Sequence, residues 1–142
     1  MSVAENKAVV HRWFEAFNTR DLAAEAAVRS PDFVAHIAGL PGPLDSTGWT
    51  QFIASFLTGF PDFRLAVDEV LGEGDRVVVR WTFHGTHSGA FLGIPPTGKA
   101  VAMAAIEINR VGGGQVVEHR VVLDQLGLLQ QLGVVPTPGQ GG

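Results

Sequence analysis

The sequence predicts an α+β fold in which helices lie on one face of an antiparallel sheet. Apolar residues recur at helical spacing through the first 60 residues, and from Phe63 onward they alternate with other residues at a period of two. Short Gly-rich turns separate the alternating segments, as is typical of strands joined by hairpins. Helices followed by hairpin-linked strands indicate α+β architecture rather than repeated βαβ units.

Two helices are predicted at the start of the chain. Ser2 and Glu5 have the spacing of a capping box and precede a face made of Val10, Trp13, Phe14 and Phe17. Asp21 can cap a short second helix that ends near Val28, because the ring of Pro31 cannot continue a helix.

The third predicted helix has the clearest amphipathic pattern. Its apolar residues recur every three or four positions: Trp49, Phe52, Ile53, Phe56, Leu57 and Phe60. Ser46 or Thr47 can cap this helix, and Pro61 ends it. A short strand is predicted before it over 33–37, followed by a Gly/Pro loop at 39–43.

The second half of the chain is predicted to form a four-stranded meander. Alternation indicates strands over 63–71, 76–84, 99–111 and 115–123. Gly-rich turns at 72–75 and 112–114 join the first pair and the last pair. Asp124 is more typical of a cap than of a catalyst, and it can begin a closing helix that reaches about Leu132.

Length and composition limit the function classes. The chain has 142 residues, the usual size of one domain, which we place at 1–134, with a disordered tail at 135–142. Hydrophobic residues make up 46%, enough for a core, and the net charge of −4 does not indicate a nucleic-acid surface. The absence of cysteine excludes disulfides, thiolate catalysis and zinc–sulfur sites.

Cellular location and cofactors are also expected from the sequence. The first residues lack the apolar segment of a signal peptide, and no apolar run approaches the roughly 20 residues that span a bilayer. We therefore expect a cytoplasmic protein without membrane or nucleic-acid partners. The histidines do not have the spacing of metal-binding motifs, and no phosphate-binding motif is present, so neither a metal nor a cofactor is expected.

Two polar residues occur on otherwise apolar strand faces. His119 shares a face with Val117, Val121 and Leu123, where burial would favour a neutral imidazole able to exchange a proton. The alternative is a core histidine satisfied by a backbone carbonyl. Glu107, between Ile106 and Ile108 in the chain, must be paired, hydrated or protonated if it is buried. A protonated Glu107 could act as a general acid, and the alternative is a solvent-facing glutamate.

Other side chains leave two interpretations open. Trp81 and Phe83 share a face and are either core or the wall of a cavity. Four alanines between 100 and 105 leave room either for a cavity or for a closely packed helix. His36 ends a short strand and His87 lies in a loop, so we expect both to be solvated.

Two long motifs, with three shorter ones, resemble a known family. The motifs are Gly85–Gly98 and Glu118–Gly133, supported by Trp13–Thr19, Ser30–Phe33 and Phe60–Phe63. Together they resemble the SnoaL-like polyketide cyclases, which have the cone-shaped fold of nuclear transport factor two. The resemblance implies a curved mixed or antiparallel sheet, wrapped with N-terminal helices into an α+β barrel around an internal cavity.

The resemblance also implies a chemistry. Family cyclases close a ring by intramolecular aldol chemistry without a metal or organic cofactor. Their last-strand histidine matches His119, but the acid/base aspartate two residues later is replaced by Val121. A second polar position of the family falls near Glu107. Either Glu107 replaces the aspartate with His119 as its partner, or the reaction is a cycloaddition that needs mainly a folded substrate, or the cone only binds.

The resulting hypothesis is a cofactor-independent cyclase of polyketide biosynthesis that acts on a hydrophobic, conjugated substrate. Glu107 and His119 are the candidate catalytic residues. The candidate wall residues are Trp49, Trp81, Phe83, Met103, Val121 and Leu123. The alternatives are a non-catalytic binding or dimerisation module and a hydrolase or isomerase of small lipophilic substrates. A homodimer is expected through the outer sheet face, which would carry Glu118, Arg120 and Val122.

Overall fold

The structure is a computed structural model, and it describes residues 1–136 and 138–139. Its elements follow the predicted order of helices and then strands, so the α+β prediction is confirmed. They are α1 (Val3–Thr19), α2 (Leu22–Val28), β1 (Arg29–Ile37), α3 (Ser46–Gly59), β2 (Arg64–Glu73), β3 (Arg76–Thr86), β4 (Ala100–Gly112), β5 (Gln115–Leu123) and α4 (Gln125–Gln131).

The five strands form one mixed sheet in the order β1-β5-β4-β3-β2. The pairs from β2 to β5 are antiparallel hairpin neighbours, as predicted, whereas β1 pairs with β5 in parallel. The expectation of a mixed or antiparallel sheet is therefore confirmed as mixed, because the chain from β1 crosses through α3 and three further strands before β5 returns beside it. The sheet does not close on itself, and β1 and β2 form its edges.

β1 is longer than predicted and includes a proline. It begins at Arg29, directly after α2, and Pro31 lies within it. An edge strand tolerates proline because one side of its backbone needs no ladder partner. The pairing with β5 shifts register between Arg29 and Val34, on either side of the proline.

The helix caps mostly follow the sequence prediction. Ser2 Oγ accepts from the Glu5 amide while Glu5 Oε1 accepts from the Ser2 amide, each at 3.1 Å, which completes the predicted capping box. The cap of α3 is Asp45 rather than Ser46 or Thr47, with its Oδ1 2.8 Å from the Gly48 amide. A carboxylate is a stronger acceptor for orphan amides than a hydroxyl.

The core lies between the inner face of the sheet and the helices α1 and α3. Along β4 the odd-numbered residues from Val101 to Val111 are largely buried and the even-numbered ones are largely exposed, as the period of two requires. Three of the four alanines, at 100, 102 and 104, face outward, where the Gln131 side chain of α4 hydrogen-bonds both backbone groups of Ala102 at 2.8 and 2.7 Å. These small residues therefore accompany a packed helix and not the cavity.

Near the C-terminus, Gln130 Nε2 donates to the Pro136 carbonyl at 3.2 Å. The predicted disorder of 135–142 falls in part on residues 137 and 140–142, which lie outside the described residues. In the described ranges, no helix combines the length and the apolar character needed to cross a bilayer.

Candidate active site

A cavity lies between the inner face of the sheet and the aromatic faces of α1 and α3. About 70 Å³ of it can hold water, and its empty volume is about 580 Å³ when the space that continues into solvent is included. All six predicted wall residues line it: Trp49, Trp81, Phe83, Met103, Val121 and Leu123. Glu107 and His119 are the two ionisable groups among the lining residues, and each is less than 5% exposed.

Asn109, which sequence reasoning did not select as a site residue, joins the two ionisable groups. Its Nδ2 donates to Glu107 Oε2 at 2.6 Å, and its Oδ1 lies 2.7 Å from His119 Nδ1. Because Oδ1 can only accept, the imidazole proton is on Nδ1 and Nε2 keeps its lone pair. Glu107 and His119 are 3.6 Å apart at Oε2 and Nδ1.

The hairpin between β4 and β5 explains why these groups meet. Asn109 is the direct cross-strand partner of His119, and Glu107 is the partner of Val121. Directly opposed residues of an antiparallel pair project from the same face with their Cβ atoms about 5 Å apart. The sequence signal for Asn109 was its position two residues after Glu107 on one strand face. Its pairing with His119 depended on the register, which is set by the tight turn at 112–114 together with a shift in pairing between Arg110 and Val111.

Burial has opposite effects on the two titratable groups. It raises the pKa of Glu107 to about 7, although the hydrogen bond from Asn109 acts to lower it. Burial also lowers the pKa of His119 to about 3, with a smaller contribution from the positive charge of His36. At neutral pH the imidazole is therefore uncharged, and the carboxyl is present in both protonation states. Despite their proximity, the two groups do not form a salt bridge there.

Two indole rings hold the imidazole between them. The Trp13 ring lies 5.1 Å from the His119 ring at an interplanar angle of 86°, and the Trp49 ring lies 4.9 Å away at 69°. Such edge-to-face contacts are favourable for aromatic rings. Trp13 comes from α1 and Trp49 from α3, so the helices limit the orientation of a side chain that belongs to the sheet.

The remaining histidines lie apart from this site. His36 is half-buried, with its Nε2 3.7 Å from Glu118. His87 was expected to be solvated, and this expectation is wrong, because the residue is fully buried. The loop after β3 turns back on itself, so that the Thr97 amide donates to His87 Nδ1 at 3.2 Å and the ring packs against Phe60. Over residues 1–136 and 138–139, no group of three or more His, Cys, Asp or Glu side chains could hold a metal ion.

Comparison with known proteins agrees with the fold. The sequence profile described as SnoaL-like polyketide cyclase matches residues 7–132. Aklanonic acid methyl ester cyclase DnrD of Streptomyces peucetius is 30% identical over 139 residues, which are 92% of this chain and 92% of that protein.

Solved structures show the same relationship. AclR of Streptomyces galilaeus, a proposed hydroxylase, is 35% identical with a TM-score of 0.89, over 96% of this chain and 89% of that one. IdmH of Streptomyces antibioticus, a proposed polyketide cyclase, is 34% identical with a TM-score of 0.82, over 91% of this chain and 99% of that one. Because the profile matches residues 7–132 and the solved structures share the fold, the chain belongs to the SnoaL-like polyketide cyclase family.

Proposed function

We propose that this protein is a cofactor-independent polyketide cyclase that closes a ring in a hydrophobic, conjugated substrate by intramolecular aldol chemistry. The observation that carries the proposal is the buried carboxyl of Glu107, whose pKa is raised to about 7 at the sheet side of an apolar cavity. A general acid/base works best when its pKa lies near the operating pH.

The position of Glu107 supports its substitution for the family aspartate. The place of that aspartate is occupied by Val121, and Glu107 lies directly opposite Val121 on the neighbouring strand. Both side chains project from the same face of the sheet. A carboxyl at 107 therefore reaches the part of the cavity that a carboxyl at 121 would reach.

The proposed reaction is balanced in atoms and protons. The Glu107 carboxylate takes a proton from an acidic substrate carbon next to a carbonyl, and the resulting enolate attacks a second carbonyl carbon of the same molecule. The new C–C bond leaves an alkoxide, which takes the proton back from Glu107, so the product is an isomer of the substrate. Neutral His119 accepts a substrate hydrogen bond at Nε2, while Asn109 holds its Nδ1–H.

The rest of the cavity favours an apolar, planar substrate. Its lining is aromatic or aliphatic apart from Glu107 and His119. Drug-sized ligands occupy pockets of roughly 300–1,000 Å³. The cavity itself measures about 70 Å³, so a polyketide would also occupy the region that opens to solvent.

Aklanonic acid methyl ester, from the name of the DnrD relative, is the first substrate to test. Incubation with the wild-type chain is expected to give a product of unchanged mass and altered chromatographic retention. Glu107→Gln should lower kcat by about 100-fold or more, which is typical for loss of a general acid/base. Glu15→Gln, an exposed position on α1, is the matched control and should leave kcat unchanged.

A pericyclic ring closure is the second candidate, supported by the aromatic walls and by the hydrogen bonds that Glu107 and His119 make through Asn109. A cycloaddition needs the substrate to be folded and does not need a base. Full turnover by both Glu107→Gln and His119→Ala would favour it over the aldol reaction. Incorporation of oxygen-18 from labelled water would indicate hydrolysis, and a product heavier by one oxygen would indicate hydroxylation.

A further inference from the structure

We propose that Glu25 is a positioning residue for His119, acting through the indole rings of Trp13 and Trp49. The proposal rests on the proposed function only in giving His119 a role in the reaction. The arrangement of the four side chains stands on its own geometry. Glu25 lies on α2 and does not line the cavity.

One carboxylate oxygen of Glu25 binds both indoles. Oε2 accepts from Trp13 Nε1 at 2.8 Å and from Trp49 Nε1 at 3.2 Å. Glu25 is 3% exposed, so no solvent competes for these bonds. Hydrogen bonds to an ionised acceptor are roughly twice as strong as neutral ones. Both indoles are therefore fixed at their N–H groups.

The second carboxylate oxygen holds Glu25 in place. Oε1 lies 3.1 Å from Arg29 Nη2, in an ion pair whose side chains are both about 95% buried. Arg29 also donates to Ser46 Oγ at 2.8 Å and to Thr50 Oγ1 at 3.2 Å, both on α3. One carboxylate oxygen therefore binds Arg29 of β1, which is itself hydrogen-bonded to α3. The other oxygen binds the tryptophans of α1 and α3.

The effect reaches the active site through ring contacts. Trp13 and Trp49 pack their rings against His119 at 5.1 and 4.9 Å, and against each other at 5.7 Å. An imidazole confined by two fixed rings keeps Nδ1 on Asn109 and Nε2 free for substrate. Because three helices converge on Glu25, a change at this residue should alter the orientation of the His119 ring without touching the substrate.

The test uses NMR of the full-length protein and requires no turnover. In ¹H–¹⁵N spectra of Glu25→Gln, the indole N–H resonances of Trp13 and Trp49 should move upfield by about 0.5 ppm or more, and that of Trp81 should not. The carbon-bound ring protons of His119, assigned by comparison with His119→Ala, should also shift. Glu15→Gln, exposed on the outer side of α1, should change none of these resonances.

Glu25→Asp provides a second variant if the glutamine variant does not fold. It keeps the charge and both acceptors but retracts them by one methylene, so the same resonances should move in the same direction by a smaller amount. Unchanged His119 ring protons, in whichever variant folds and shifts the two indoles, would overturn the proposal and leave Glu25 with a structural role only. Failure of the Glu107 and His119 substitutions to affect turnover would exclude the aldol mechanism but leave this result intact.

Discussion

At Glu107, burial and hydrogen bonding act on the carboxyl in opposite directions, and burial has the larger effect. The resulting pKa of about 7 makes the protonation state of one side chain sensitive to small pH changes near neutrality. His119, with its pKa lowered to about 3, stays uncharged across the same range. Glu107 therefore titrates near neutral pH, whereas the charge of His119 does not change there.

The first prediction concerns the rate of the proposed reaction. If Glu107 removes a proton from carbon in the rate-limiting step, kcat/KM should rise about tenfold per pH unit below pH 7 and level off above it. Measurement of kcat/KM with aklanonic acid methyl ester from pH 5 to 9 checks this. A rate that falls through pH 7 would assign the protonated carboxyl as the working form instead.

The second prediction concerns stability. Between pH 4.5 and 6.5 the native state holds a proton on Glu107 that the unfolded state has lost, whereas the unfolded state holds a proton on His119 that the native state lacks. These contributions cancel in the wild type. Glu107→Gln removes the Glu107 contribution, so the unfolded state then binds more protons than the native state. The free energy of unfolding should therefore rise with pH across this window by about 1 kcal/mol per pH unit.

Urea denaturation at half-unit pH steps measures this slope. Glu15→Gln again serves as the control, because its side chain is exposed and should leave the wild-type profile unchanged. An identical pH profile for wild type and Glu107→Gln would mean that the carboxyl at 107 has an ordinary pKa in the native state.

Single residues also show what the sequence could predict. Alternation along a strand is local, so the residues that share a face with Glu107 and with His119 could be predicted from β4 and β5 alone, whereas the choice of which face is inward could not. The roles of Asn109 and Glu25 could not be predicted, because each depends on atoms brought together by register or by helix packing. His87 was placed wrongly for the same reason, since the loop that buries it folds back on residues ten positions later.

Among the elements, the loop between β3 and β4 makes close backbone contact with the end of α3. The Gly89 amide donates to the Gly59 carbonyl at 3.2 Å, and Phe91 packs against Phe56 and Phe60. A Cβ built at Gly89 would lie 1.9 Å from the Thr58 carbonyl oxygen, so only glycine fits there without displacement of the backbone.

Gly89→Ala is therefore predicted to lower the free energy of unfolding by about 1 to 3 kcal/mol, the usual cost of an overpacked contact. Gly42→Ala is the matched control, since a Cβ at that position would meet nothing within 4 Å. Thermal and urea unfolding of both variants checks the prediction. Equal stability of the two alanine variants would contradict the rigid contact between the loop and α3.

The boundaries of most elements were predictable because caps, prolines and periodicity are encoded locally. The parallel pairing of β1 with β5 was not, because it joins segments about 85 residues apart in the chain. The early start of β1 was missed for a similar reason. Its proline is acceptable only at a sheet edge, and the sequence does not show where the edges lie.

On the scale of the whole molecule, the outer face of the sheet exposes apolar side chains beside a few charges. Ile106 is 52% exposed and Val122 is 62% exposed, next to each other in the β4–β5 pairing. A contiguous apolar patch of this kind is typical of an interaction surface. The homodimer expected from the sequence remains our proposal for what covers it.

Light scattering should then report twice the chain mass of 15.1 kDa. Ile106→Lys should shift the protein to the monomer mass with an unchanged far-UV circular dichroism spectrum, because a buried, unpaired ammonium at an interface is costly. Leu22→Lys, at a residue with a similar exposure of 51% on α2, should remain dimeric. A wild-type mass of 15.1 kDa would refute the dimer.

The cavity has two unlike sides: the sheet carries the carboxyl and the imidazole, and the helices oppose them with aromatic rings. A planar substrate between these two sides would present only one of its faces to Glu107 and His119. A new stereocentre formed on that face would then have a single configuration, determined by the orientation in which the substrate enters the cavity. With the carboxyl fixed on β4, the chirality of the product would thus be decided at entry, before any bond is made.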